Sequence, residues 1–294
     1  MTRTGTAGIH PLDHLVLPTQ SLDTARARLT ALGFIVAPTG VHPFGTENCC
    51  VFLPDGTYLE PLAVGDEHAA MKAIASGNVF VARDRTYRDS RGDEGFSALV
   101  LSTDSADSDH ARYVEAGISA GDILSFSRAF ADPTGKSDIA SFKLAFASND
   151  TEADAFLFAC ERVNAPKVDR TALQAHANGA EGIVEVIAIS DAPATQRRLV
   201  SIATGTVEQS GTVFQLPNAT LTLLDPKAFE ARFGIATGMP SKFRFAAILF
   251  SIRGLDAISA LLAANAINHD IRGNDIVVPP APGQGAAFVF QETR

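Results

Sequence analysis

The chain lacks the raw material for several common kinds of site. Its 294 residues hold only three cysteines, two of them adjacent at Cys49 and Cys50. A disulfide framework is therefore excluded, and no C-x-x-C spacing points to zinc or redox work. The three thiols read as buried strand residues, and nothing beside Cys160 argues for a lowered thiol pKa. Positive charge is also scarce: 24 Lys and Arg against 33 Asp and Glu leave a formal charge of -9. That balance offers no basic face for nucleic acid or an anionic membrane and suits a soluble protein kept dispersed by modest acidity. No apolar run approaches the roughly 18 residues of a membrane span. The opening MTRTGTAGIHPLDH has no apolar signal core, so the expected compartment is the cytoplasm. No glycine-rich loop follows a strand and no G-x-S-x-G elbow appears, which sets aside nucleotide chemistry and serine hydrolysis.

What the chain does have is one unit written four times. The copies open with HLVLPTQSLDTARARLTALGF from His14, ALVLSTDSADSDHARYVEAGI from Ala98, EVIAISDAPATQRRLVSIATG from Glu185 and AILFSIRGLDAISALLAANAI from Ala247. Each is a short apolar run, a polar turn carrying Ser or Asp, and then apolar residues at helical spacing, which reads as a strand feeding a helix. The first, second and fourth copies superpose without a gap, so that Asp23, Asp107 and Asp256 coincide while Gly33 and Gly117 close their helices. The spacing predicts helices over 21–32, 105–116, 192–203 and 255–264.

After Gly33 come IVAPTG, ENCCVFLP and TYLEPLAV, extended segments joined by hairpin-length connections. The module is thus βαβββ. The run returns after the third helix as GTVFQLPNATLTLLD, where Val213-Phe214 and Pro217-Asn218 echo Val51-Phe52 and Pro54-Asp55. Two such modules bury their concave faces by pairing, so four make two pairs, each expected to have its own core. The polar stretch 161–181 reads as the boundary, with one helical turn near 171–175. A further helix is expected near 67–75, followed by a charged connector to the second module. SRAFADPTGKSDIAS reads as a long polar hairpin loop.

This arrangement resembles the vicinal oxygen chelate superfamily, and within it the glyoxalase-like domain proteins, over nearly the whole chain. The resemblance is carried by Asp13-His14-Leu15-Val16-Leu17, by His42-Pro43-Phe44-Gly45-Thr46-Glu47-Asn48, by Tyr58-Leu59-Glu60 and by His176-Ala177-Asn178-Gly179. It implies an α+β fold of tandem βαβββ modules paired into two glyoxalase/dioxygenase-like domains, at 1–165 and 182–294, with 166–181 as linker. It also implies a divalent metal, Zn, Fe, Mn, Ni or Co, at the mouth of a paired-module cup, with ligands from the first and last strand of each module.

In the first module those positions are His14 and Glu60, the latter also a candidate catalytic base. In the second they are Ala98 and Phe158 or a neighbour, which cannot bind metal. In the second pair they are Glu185 and Ala247, with residues near Leu223 and near Val289 or Phe290 at the last strands, so 182–294 reads as structural or dimerising. A third metal ligand is expected from His176, which could equally bond a backbone carbonyl. His42 and Asn48 are expected over the mouth, against substrate, although His42 could simply order its loop. Relatives often carry further histidines where this chain has Glu161-Arg162-Val163. Two classes stay open: a metal-dependent lyase, isomerase or dioxygenase, and a metal-free protein that sequesters a small apolar or aromatic molecule, as drug-resistance members of the superfamily do. The expected partner is a small molecule, and a homodimer is allowed.

Overall fold

The computed structural model describes residues 8–131, 137–149, 155–166, 168–207, 211–238 and 243–292. The first module runs β1 (Leu12–Pro18), α1 (Leu22–Ala31), β2 (Gly40–Val41), β3 (Thr46–Asn48), β4 (Val51–Phe52) and β5 (Tyr58–Val64). Helices α2 (Glu67–Ala75) and α3 (Val79–Arg91) lead to the second, β6 (Ala98–Thr103), α4 (Ala106–Glu115), β7 (Leu124–Ala131), β8 (Ser137–Ala147) and β9 (Phe156–Asn164). A single 3-10 turn at Thr171–Leu173 precedes the third module, β10 (Ala180–Ile189), α5 (Pro193–Thr204), β11 (Val213–Gln215) and β12 (Thr220–Leu224). Helix α6 (Pro226–Phe233) connects it to the fourth, β13 (Arg244–Ile252), α7 (Leu255–Ala264), β14 (Asp270–Arg272), β15 (Asp275–Val278) and β16 (Ala287–Glu292).

Local chemistry explains the helix limits. The Ser21 hydroxyl accepts from the Thr24 N–H to start α1, and Ser105 does the same for Ser108 at α4. Gly33 and Gly117 follow these helices at φ +84° and +69°, where a side chain is strained. The equivalent position of the fourth repeat is held by Ala266, at φ 52°, the one non-glycine residue with positive φ among those described.

The strands form two sheets, each with the first strands of its two modules side by side. The order is β2-β3-β5-β1-β6-β9-β8-β7, with β4 also on β5, and β11-β12-β10-β13-β16-β15-β14. The registers make the internal symmetry explicit. His14 pairs with Tyr58 across parallel strands as Ala98 pairs with Phe156, and antiparallel His14 and Val100 mirror Val16 and Ala98. The positions two residues beyond those partners are therefore Glu60 and Phe158. In the other sheet Glu185 pairs with Thr220 and Ala247 with Ala287, so the counterparts of Glu60 are Thr222 and Val289. Thr222, rather than a residue at Leu223, occupies the third-module position, because the period of two puts Leu223 on the opposite face.

Each sheet has an inner, cup face and an outer face. The first cup is filled by Val100, Phe146, Phe156 and Phe158 from the sheet and by Ala70, Phe80 and Val81 from α2 and α3. The stretch expected to be a charged connector is thus a capped helix, α3. Its buried face carries Phe80, Val81 and Tyr87 together with Arg83 and Asp84, the latter paired with Arg88 at 2.7 Å. The segment read as a polar loop is mostly the β7–β8 hairpin, because Ser127 pairs with Ser141 and Arg128 with Ala140; its tip, 132–136, lies outside the described residues.

Each half has its own cup-side core, and the outer faces add a single core shared by both halves. Leu15, Leu17 and Phe96 belong to the same cluster as Val186, Phe250 and Phe290. Phe34 packs at 5.4 Å from Phe250, and Phe96 stacks at 4.6 Å on Phe245. The helices between the sheets are apolar toward both, so neither half can bury them alone. The two echoing hairpins clasp the halves reciprocally. The Ile183 N–H donates to the Asp55 carboxylate at 3.2 Å, while Asn218 exchanges two hydrogen bonds with the Leu12 backbone at 2.8 and 2.9 Å. No helix among the described residues is long and apolar enough to cross a membrane.

Candidate functional site

Residues from three separate sequence motifs meet at the floor of the first cup. His14 on β1 and Glu60 on β5 point to the same face, with His14 Nε2 at 3.3 Å from Glu60 Oε2. The other carboxylate oxygen accepts from the Asn48 amide at 2.6 Å, and His42 Nε2 stands 3.7 Å from it. His42 is held through Nδ1 and the Thr46 hydroxyl, 2.9 Å apart. On the far side of His14, Nδ1 lies 3.2 Å from Asp13 Oδ2, and Arg162 donates to Asp13 Oδ1 at 2.6 Å. A register slip between Leu12 and His14 produces this arrangement: the irregularity at Asp13 turns consecutive residues toward one another. Tyr58 stacks on His14 at 4.3 Å, and the Phe158 ring meets it edge-on at 5.9 Å.

Burial sets the charges. For Glu60 desolvation favours the neutral acid, but the hydrogen bond and charge of His14, with His42 and Asn48, outweigh it and pull the pKa down to about 2. For His14 burial favours the neutral ring, and the bonds to Asp13 and Glu60 override it, raising the pKa. Asp13 is likewise held below its ordinary value despite burial, by His14 and Arg162. His42 goes the other way. Desolvation drives it down to about 4, Glu60 opposing and Arg128 and His14 assisting, so it is neutral at pH 7. The floor thus carries two neutralised ion pairs and a neutral imidazole.

Above it lies a small cavity of about 50 Å³ lined by His14, His42, Tyr58 and Glu60, by Phe44, Phe80, Phe126, Phe142 and Phe158, and by Arg128 and Cys160. Cys160 is a free thiol on β9 whose pKa burial pushes far up, so it is inert. Cys49 and Cys50 are buried as well, in the break between β3 and β4 rather than within a strand.

His176 is not brought to this cavity. Its Nδ1 accepts from the Ile35 N–H at 3.0 Å and its Nε2 donates to the Phe52 carbonyl at 2.9 Å, so backbone groups take both nitrogens. Arg162, in the Glu161-Arg162-Val163 segment, supports Asp13. Sequence reasoning missed Arg162, Arg128 and the phenylalanine cage. Arg162 lies within β9, opposite Phe142, and Phe126 and Phe142 flank the segment 127–141 that reads as loop, so the signal was strand alternation continuing up to both of its ends.

In the other half the equivalent quartet is Glu185, Thr222, Ala247 and Val289. Thr222 donates to Glu185 at 2.6 Å, and Arg232 from α6 forms a salt bridge with it at 2.5 Å. Phe229 and Phe233 of the same helix fill the cup.

The glyoxalase-like domain model matches residues 12–203. The chain belongs to the glyoxalase-like domain family, and so to the vicinal oxygen chelate superfamily. Among solved structures it is similar to a hypothetical protein from Staphylococcus aureus, with a TM-score of 0.65 and 13% identity over 96% of this chain and 99% of that one. It is also similar to a mutant 4-hydroxymandelate synthase from Streptomyces coelicolor, with a TM-score of 0.58 and 13% identity over 97% and 93% of the two chains. A Mn(II)-bound glyoxalase from Novosphingobium aromaticivorans gives a TM-score of 0.51 and 9% identity over 97% and 83%. At these identities the likeness is one of fold. No curated protein matches the sequence.

Catalytic zinc sites draw on three protein donors around one point. Here the pseudo-twofold partners of His14 and Glu60 are Ala98 and the Phe158 ring. Glu60 Oε1 is already bonded to Asn48, and no three His, Cys, Asp or Glu side chains among the described residues are placed to hold an ion. The donor set does not fit the four-position metal centre of the superfamily.

Proposed function

We propose that the first half of this protein is a metal-independent small-molecule binding module, with the ligand in residues 1–165 and residues 182–294 as scaffold. The observation that carries this reading is the substitution of Ala98 and Phe158 at the two positions that would complete a metal centre, beside a His14 and Glu60 that satisfy each other. A cavity walled by five phenylalanines with a compact polar floor suits a small apolar or aromatic molecule, which the rings bind and His42 and Glu60 orient, Asn48 holding Glu60 from behind the lining.

A second reading, a divalent-metal-dependent lyase, isomerase or dioxygenase with Glu60 as ligand and base, is supported by one feature. Asp13 stands behind His14 as carboxylates commonly stand behind metal-bound imidazoles. One experiment separates the two: elemental analysis of protein purified without chelators, paired with ligand titration before and after EDTA. The binding reading expects well under one metal per chain and unchanged affinity. About one metal per chain, removed by EDTA together with ligand binding, would overturn it.

A further inference from the structure

The cup contains a charge that its own network does not use. Within the site, Asp13 and Glu60 are balanced by Arg162 and His14, and His42 is neutral. That leaves Arg128 on β7, half-buried and lining the cavity, as surplus positive charge. Among the described residues it takes part in no hydrogen bond and no ion pair, whereas Arg88, Arg112, Arg162 and Arg232 are all paired. Its place is fixed by the sheet. Arg128 lies opposite Ala140 with Phe126 and Phe142 as the neighbouring pair, and those two rings stack at 5.1 Å. Space for the guanidinium comes from Gly40 on β2, where an added Cβ would stand 2.7 Å from Arg128 Nη1 and 2.5 Å from Asn48 Oδ1.

We propose that Arg128 is the anchor for an anionic ligand, and that the first cup takes a small aromatic monocarboxylate. This rests on the binding reading above and adds the ligand's charge. A guanidinium presents a planar donor fork that matches a carboxylate, and an uncompensated cation beside an apolar cavity attracts anions to it. A single negative charge is favoured over a phosphate dianion, because the ionised Glu60 lines the same cavity and would repel the second charge. The size argument points the same way. About 50 Å³ is well below the roughly 150 Å³ that encloses a benzene ring, so the ligand is shared between the cavity and its rim at Phe126 and Phe142.

The test uses benzoate, its neutral isostere benzamide, benzylammonium and acetate, titrated against the full chain by ligand-observed NMR, since the protein has no tryptophan. Benzoate is expected to bind at least about tenfold more tightly than benzamide, with benzylammonium and acetate weaker still. Arg128→Gln should erase the preference for benzoate over benzamide, and Arg128→Lys should restore part of it. Gly40→Ala, which crowds the guanidinium, should weaken benzoate more than benzamide, whereas Arg170→Gln, over the Phe52 ring, should change neither. Benzamide binding as tightly as benzoate, or a preference that survives Arg128→Gln, overturns the anion assignment and leaves an aromatic cup. Absence of binding by every probe up to about 10 mM overturns the cup as well.

Discussion

His14 Nε2 lies 3.3 Å from Glu60 Oε2, in a place where both side chains are almost wholly buried. Each supplies the charge that makes the other's burial tolerable. His14→Ala should therefore keep the fold but lower its stability by about 3–5 kcal/mol, since it strands a carboxylate. It should also weaken ligand binding. The double replacement His14→Ala with Glu60→Leu should cost less than the sum of the singles, as measured by urea unfolding. Additive losses would mean that the two do not form an ion pair.

Acid should act on the same cluster through His42. Its pKa is about 4 in the folded chain and near 6.5 when unfolded, so the unfolded state binds more protons between those values. Stability should fall as pH drops from about 6.5 towards 4, by on the order of 3 kcal/mol, and Glu60 should add a further loss below about 4.5. His14, whose pKa is raised, works in the opposite sense: its contribution is complete below 6.5 and fades as pH rises through its folded value. His42→Gln should flatten the pH 4–6.5 slope. Chemical denaturation at a series of pH values measures it, and an unchanged slope would assign the acid sensitivity elsewhere.

His176 should behave as a structural residue. With both ring nitrogens bonded to backbone groups, His176→Ala should destabilise by about 2 kcal/mol, from two orphaned partners. Affinity for ligand, and for any metal, should stay unchanged in the folded variant. Loss of binding without loss of stability would return His176 to the site.

Ala266 offers a gain. Its φ of 52° matches the glycines that close the equivalent helices, and an L side chain there carries strain. Ala266→Gly should raise stability by about 1 kcal/mol, seen as a higher melting temperature, with no effect on binding.

The four-fold repeat, the limits of the four module helices and the motif pair His14 and Glu60 were legible because they depend on local pattern; the third module departs from the βαβββ order, with two strands, β11 and β12, after its helix among the described residues. Alternation fixes which residues share a face, and Ser and Gly mark where a helix begins and stops. The same alignment located Ala98 and Phe158 as the empty halves of the site, and the strand registers place them there. Thr222 and Leu223 differ by a single residue, and one step along a strand changes the face. Pattern alone left that choice open until pairing resolved it.

Repeat and motif spacing by themselves thus determined the module order and the half of the chain that carries the polar motifs, and the resemblance those motifs carry pointed to the family and its fold class. Only the tertiary structure decided which groups of the floor pair with one another. Whether His14 meets Glu60 or a metal depends on side chains 46 positions apart in a shared sheet. Whether His176 is a ligand or a brace depends on which backbone groups lie within 3 Å of its ring. The surplus charge of Arg128 appears only once every carboxylate nearby has been matched with a partner. Such a balance is a property of distance and burial, and neither is written along a chain.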